Sequence, residues 1–225
     1  HRVLFLVGTA YGLSMWIDKV VFWCLDGQAT IGLLRQHPLY DACFYLGYLT
    51  VVPALAVNLV HLETEFYERY RAYYAAVTGN APLREIRRRG EDMATSLAES
   101  SGRLLRIQGA VTIAAIAAAG AISEAMGMPP FAVRVLRFAC LGAFCHVLLL
   151  LTVLVLLYFD RRVSALRACA VFLVANGLLA WGSVQWGPES YGAGFALAAL
   201  AGVVVALVEL RRTFARLEYL TFMRQ

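Results

Sequence analysis

The feature that most limits what this chain can fold into is a set of six long apolar runs, at roughly 3–24, 43–62, 107–126, 131–158, 165–186 and 191–210. A helix needs about twenty mostly apolar residues to cross the hydrocarbon of a bilayer. Backbone polar groups in lipid must be satisfied within the segment, so runs of this length read as helices. They are rich in Ala and Leu and show no apolar–polar alternation that would suit strands. Composition agrees. Of 225 residues, 60% are hydrophobic and 16% charged, where soluble domains carry about a quarter charged. The expectation is an all-α polytopic membrane protein with six transmembrane helices and the lipid bilayer as its surroundings.

Orientation follows from the basic residues. With residue 1 on the cytoplasmic side and six crossings, sixteen of the twenty basic residues fall in inner segments. These include eight arginines between 69 and 106, then Arg161, Arg162 and Arg167, then Arg211, Arg212, Arg216 and Arg224. Lys19, Arg35, Arg134 and Arg137 remain for the outer half. The positive-inside rule therefore predicts both ends in the cytoplasm, and the net charge of +5 needs no nucleic acid to explain it. The chain starts at His1 with no charged n-region or small-residue cleavage site, so no signal peptide is expected and a longer parent protein is.

The inner connection 63–106 carries its own pattern. Phe66, Tyr70, Tyr73 and Val77 share one helix face, and Leu83, Ile86, Gly90, Met93, Leu97 and Leu104 form a second stripe after Pro82. Two helices running on from the membrane and packing as a cytoplasmic hairpin fit this; one helix lying on the membrane surface is the alternative. Small residues every fourth position, Gly194 to Ala206 and Gly8 with Gly12, predict close helix contacts. The small-residue run "GAVTIAAIAAAGAI" predicts a central third span.

Polar groups inside the spans are the candidate site. Asp18 and Lys19 sit roughly 8–11 Å from the outer end of span one, at 1.5 Å per residue. Arg134 and Arg137 lie at comparable depth in span four, which makes an ion pair with Asp18 geometrically feasible. Asn58, His61, His146 and Asn176 lie nearer the middle. Lys19 and Arg134 can instead snorkel to the interface, but the short Asp18 side chain cannot reach far. Asp18 thus faces either a watery cavity or an internal partner. Trp16 and Trp23 fit an interface anchor and an aromatic lining equally. At the inner mouth, Glu63 and Glu65 read as a solvated helix end or a docking surface, together with Arg84, Arg87, Arg88 and Arg89 on the hairpin.

No P-loop, G-x-S-x-G or H-E-x-x-H occurs, and the five cysteines lack metal spacing. No enzyme activity, cofactor or metal is expected, and a disulfide between Cys24 and Cys43 is disfavoured.

Several stretches then read together: "YGLSMWIDKVVFW", "YLTVVPALAVNLVHLETEFYERYRAYY", "LLRIQGAVT", "LLYFDRR" and "LEYLTF". In this order they resemble the transporter family of the Pel exopolysaccharide systems, within the multidrug/oligosaccharidyl-lipid/polysaccharide flippase superfamily. The resemblance implies a MATE-like fold of two six-helix lobes, of which this chain is the second. It implies inner-membrane transport of a growing N-acetylated amino-sugar polysaccharide from cytoplasm to periplasm, as a factor in biofilm formation. A cytosolic glycosyltransferase and a cyclic di-GMP receptor are the implied partners. It transfers no residue roles, so the expected pathway residues, Trp16, Asp18, Lys19, Asn58, Asn176, Arg134 and Arg137, rest on burial and charge alone. Two other readings stand beside it, a membrane scaffold anchoring a glycosyltransferase and an ion-coupled small-molecule exporter.

Overall fold

The computed structural model describes residues 2–31, 34–53, 55–56, 62–79 and 81–215. Helix α1 (Arg2–Asp26) is followed by a short antiparallel ribbon of β1 (Ala29–Ile31) and β2 (Leu34–Gln36), with Ala29 opposite Gln36. The sequence pattern did not signal this ribbon. Arg35 fixes it to the helix by donating to Cys24 O at 3.2 Å and Gly27 O at 3.1 Å, carbonyls that a helix end leaves unpaired. Helix α2 (Pro38–Leu49) starts with a proline in its first turn, and His37 Nδ1 accepts from Tyr40 N at 3.2 Å as its cap.

α2 stops at Leu49, and residues 52, 53, 55 and 56 are again helical. Pro53 has no N–H for the carbonyl of Leu49, four residues back, which accounts for the break. A π-helical turn (Leu62–Phe66) leads into α3 (Tyr67–Thr78), then α4 (Leu83–Ala125), α5 (Ala132–Tyr158), α6 (Arg162–Trp186), a 3-10 turn (Pro188–Ser190) and α7 (Ala193–Ala215). Five of the described helices are long and apolar enough to cross a membrane: α1, α4, α5, α6 and α7. The expected second span, 43–62, lies partly outside the described residues.

The core sits between α5, α6 and α7, with α1 packed on α6 and α2 and α4 packed on α5. Ala198 and Ala206 are fully buried. A side chain at Gly194 would lie 2.8 Å from the Leu179 backbone, so glycine is what lets α6 and α7 meet at that point. The other small-residue expectations are corrected. Nothing lies within 4 Å of where Gly8 or Gly12 would carry a Cβ. The third span is peripheral: α4 buries one stripe, including Leu104, Gln108, Thr112, Ala119 and Ser123, half-buries Ala115, Ile116 and Ile122 beside it, and leaves residues such as Ile113 exposed. Lipid is as apolar as Ala or Ile, so a small-residue helix has no hydrophobic reason to move inward.

α3 and the first part of α4 form a hairpin whose core joins Phe66, Tyr73 and Val77 to Ile86, Met93 and Leu97. Leu83 stays exposed. Val155 and Phe159 at the end of α5 complete this core, and Tyr70 donates its hydroxyl to Tyr158 O at 2.9 Å. Burial raises the Tyr70 phenol above its ordinary value.

Candidate functional site

The Asp18 carboxylate is fully buried inside the helix bundle. Position 18 follows Val7 and Ser14 on the face of α1 that turns to α6, with Phe22 one turn further on. Three groups meet it. Tyr40 of α2 donates its hydroxyl to Oδ2 at 2.8 Å. Lys19 Nζ lies 3.3 Å from Oδ2 and 3.5 Å from Oδ1. Asn176 of α6 donates to Ser14 O at 2.8 Å and to Asp18 Oδ1 at 3.4 Å. One carboxylate thus joins α1, α2 and α6.

Lys19 is held as tightly as the carboxylate it neutralises. Its ammonium donates to Met15 O at 3.1 Å and lies 4.8 Å from the centre of the Phe44 ring. The Phe195 ring centre is 5.7 Å away. In a dry site these ring faces add an electrostatic attraction that a solvated lysine would not need. The lysine therefore does not snorkel. It folds inward, since its side chain is only 14% exposed.

Around the ion pair is an aromatic shell. Tyr40 stacks between Phe22 and Phe44, with ring centres 4.0 and 4.3 Å apart. One turn further, Tyr48 hydroxyl and His146 Nδ1 lie 3.3 Å apart, and Tyr11 stacks on His146 at 5.2 Å. His146 is a hydrogen-bonded core residue. Two polar atoms of this region, Asn176 Oδ1 and His146 Nε2, are buried without a partner among the described residues.

The structure brings together Asp18, Lys19 and Asn176, which the sequence had placed in separate layers. It does not bring the two arginines. Arg134 pairs with Glu189 at 2.9 Å, both exposed, and Arg137 donates to Ile116 O at 3.3 Å. The expected Asp18–arginine pair is thereby corrected: Tyr40, Lys19 and Asn176 already occupy the carboxylate. Trp16 is 55% exposed on the opposite side of α1, 6.2 Å from the Trp23 ring. Trp23 in turn donates to Asp41 Oδ2 at 3.0 Å. Asn58 and His61 lie outside the described residues, as does the Glu63 side chain. On the hairpin, Glu65, Arg84, Arg87 and Arg88 are exposed. Arg89 is half-buried, paired with Glu85 at 2.7 Å and reaching Ala72 O at 3.5 Å.

Sequence reasoning missed three groups. Tyr40, Phe44 and Tyr48 recur every fourth residue, a hydroxyl-bearing face that was visible in the sequence. Asp26 accepts from Tyr191 and from His37 Nε2 at 3.1 Å, closing the end of the bundle that carries the ribbon. Because His37 Nδ1 already accepts from Tyr40 N, its proton sits on Nε2. Glu209 is buried near the other end, accepting from Ser164 at 2.6 Å, Arg212 at 3.2 Å and Arg167 at 3.3 Å. Among the described residues no cluster of His, Cys, Asp and Glu could hold a metal ion.

Ionisable residues within long apolar helices are costly and pair with one another or with backbone carbonyls, as Asp18 and Lys19 do here. Neither a curated protein nor a solved structure matches the chain. The family model for PelG, described as exopolysaccharide exporter (EPS-E), matches residues 1–222. With nearly its whole length covered, this membrane protein belongs to the PelG family of exopolysaccharide exporters.

Proposed function

We propose that this chain forms one six-helix, MATE-like lobe of an inner-membrane exporter, working within a synthase–transporter complex. Its substrate is a growing N-acetylated amino-sugar polysaccharide, passed from cytoplasm to periplasm. The apolar segment 43–62 supplies the crossing beyond the five spans described, and the arginine-rich end faces the cytoplasm. A cytosolic glycosyltransferase and a cyclic di-GMP receptor dock on the hairpin through Glu65, Arg84, Arg87 and Arg88. Arg89 has a mainly internal role there, since it is tied to Glu85.

The observation that carries this reading is the two-faced character of α1. One face buries Ser14, Asp18 and Phe22 in the lobe, and the other exposes Phe5, Leu13, Trp16 and Val20. Asp18, Lys19 and Asn176 hold the helix in place, so the exposed face is presented rigidly. Sugar rings need both hydrogen-bonding groups and flat apolar surfaces, and Trp16 supplies the second. Trp16→Ala is expected to lower exported polymer several-fold while the protein accumulates normally in the membrane. Export unchanged at equal protein level would remove Trp16 from the pathway.

A further inference from the structure

The geometry points to a binding site for a phosphate-bearing anion, the headgroup of an anionic phospholipid, where α5 ends and α6 begins. Val3, Asp160, Arg161, Arg162, Ser164 and Arg167 line a cavity of about 320 Å³ at this point. Three guanidinium groups border it, and the nearby carboxylates are already engaged. Asp160 is paired with Arg162 Nε, and Glu209 is held by Ser164, Arg167 and Arg212.

Arg161 is the group that asks for an occupant. Its Nε is buried and has no partner among the described residues. A guanidinium N–H removed from water without an acceptor is unfavourable, and an anion in the cavity would satisfy it. Arg161 is also the N-cap of α6, a helix of 25 residues with no side-chain cap and no acidic residue in its first turn. The bond from Ala165 N to Arg161 O leaves the amides of Arg162, Val163 and Ser164 without a carbonyl inside the helix. Their dipoles add to the positive field of the arginines. Asp160 turns the chain into this arrangement with a φ of 55°, which residues other than glycine rarely adopt.

Two features favour a lipid headgroup over soluble phosphate. The cavity lies at the end of the bundle, where the apolar lengths of α5 and α6 stop, which is the level of the lipid phosphates when such helices span a bilayer. Val3 is also followed along α1 by Leu4, Phe5 and Leu6, which are 46, 73 and 49% exposed and give acyl chains an apolar surface. Basic pockets between membrane helices suit anionic headgroups for this reason.

The test is thermal unfolding of the detergent-purified full-length protein, titrated separately with dioctanoyl phosphatidylglycerol, dioctanoyl phosphatidylcholine and inorganic phosphate. A saturable rise in midpoint is expected with phosphatidylglycerol and not with phosphatidylcholine. Arg161→Gln should weaken half-saturation by about tenfold or more, the scale of a charge-assisted hydrogen bond. Arg134→Gln, at the other end of the bundle, should leave it unchanged. If Arg161→Gln does not purify folded, Arg161→Lys and Arg167→Gln replace it in the same titration. An equal response to inorganic phosphate, lost in the same variants, would overturn the lipid source and assign the site to a soluble phosphate. No response to either anion, or one indifferent to Arg161 and Arg167, would overturn the site.

Discussion

Among the described residues, the two buried carboxylates are held in different ways. Asp18 is neutralised by one lysine on the next residue, and its other partners, Tyr40 and Asn176, are neutral donors. Glu209 also has a neutral donor, Ser164, but two arginines share its charge, and these are 63 and 67% exposed. Loss of Glu209 lets both arginines turn to water. Loss of Asp18 strands an ammonium between aromatic rings. The comparison teaches that burial of the acid alone does not set the cost of removing it; what its partners can do afterwards does.

The largest expected effect follows directly. Asp18→Ala should destabilise the protein by about 3–5 kcal/mol, the range for breaking a buried ion pair. Thermal unfolding in detergent reads this, and Asp18→Ala with Lys19→Met should recover a large part of the loss. A double variant no better than the single would mean that Lys19 is not stranded, and the contrast with Glu209 would fail. A smaller effect, about 1–2 kcal/mol, is expected for Glu209→Gln, which keeps the volume and loses the charge. If it equals that of Asp18→Ala, exposure of the arginines offers no relief. Arg134→Gln should be smallest, under about 0.5 kcal/mol, because the pair with Glu189 is exposed and screened by salt. A loss comparable to that of Asp18→Ala would revive an Asp18–arginine link that the observed contacts do not contain.

Much of the architecture was legible because lipid imposes simple rules. Length and apolarity marked the spanning helices, and the 3.6-residue stripe marked Tyr73, Val77, Ile86 and Met93, which share the hairpin core. The small-residue stripe of Gly194 and Ala198 was read correctly, whereas that of Gly8 and Gly12 was not. Both patterns permit close approach, and only the neighbouring helices decide whether it happens. Depth along the spans put Asp18 level with Arg134 and Arg137, yet it paired the residue with the wrong cations. Equal depth says nothing about rotation, and the arginines of α5 are turned toward Glu189 and α4 instead.

By itself, then, the sequence determined that this protein is built of membrane-length helices, that its arginines gather at alternate ends of them, and that a charged pair interrupts the first. These are one-dimensional properties, set by what a bilayer tolerates at each position. Only the tertiary structure decided which way Asp18 points. The hydroxyl of Tyr40, the amide of Asn176 and the rings of Phe44 and Phe195 come from three other helices. Their convergence depends on helix rotation and contact, which no local pattern encodes. "MWIDKVVFWC" therefore carries a presented face with Trp16 and a buried face with Asp18, two residues apart and on opposite sides of one helix.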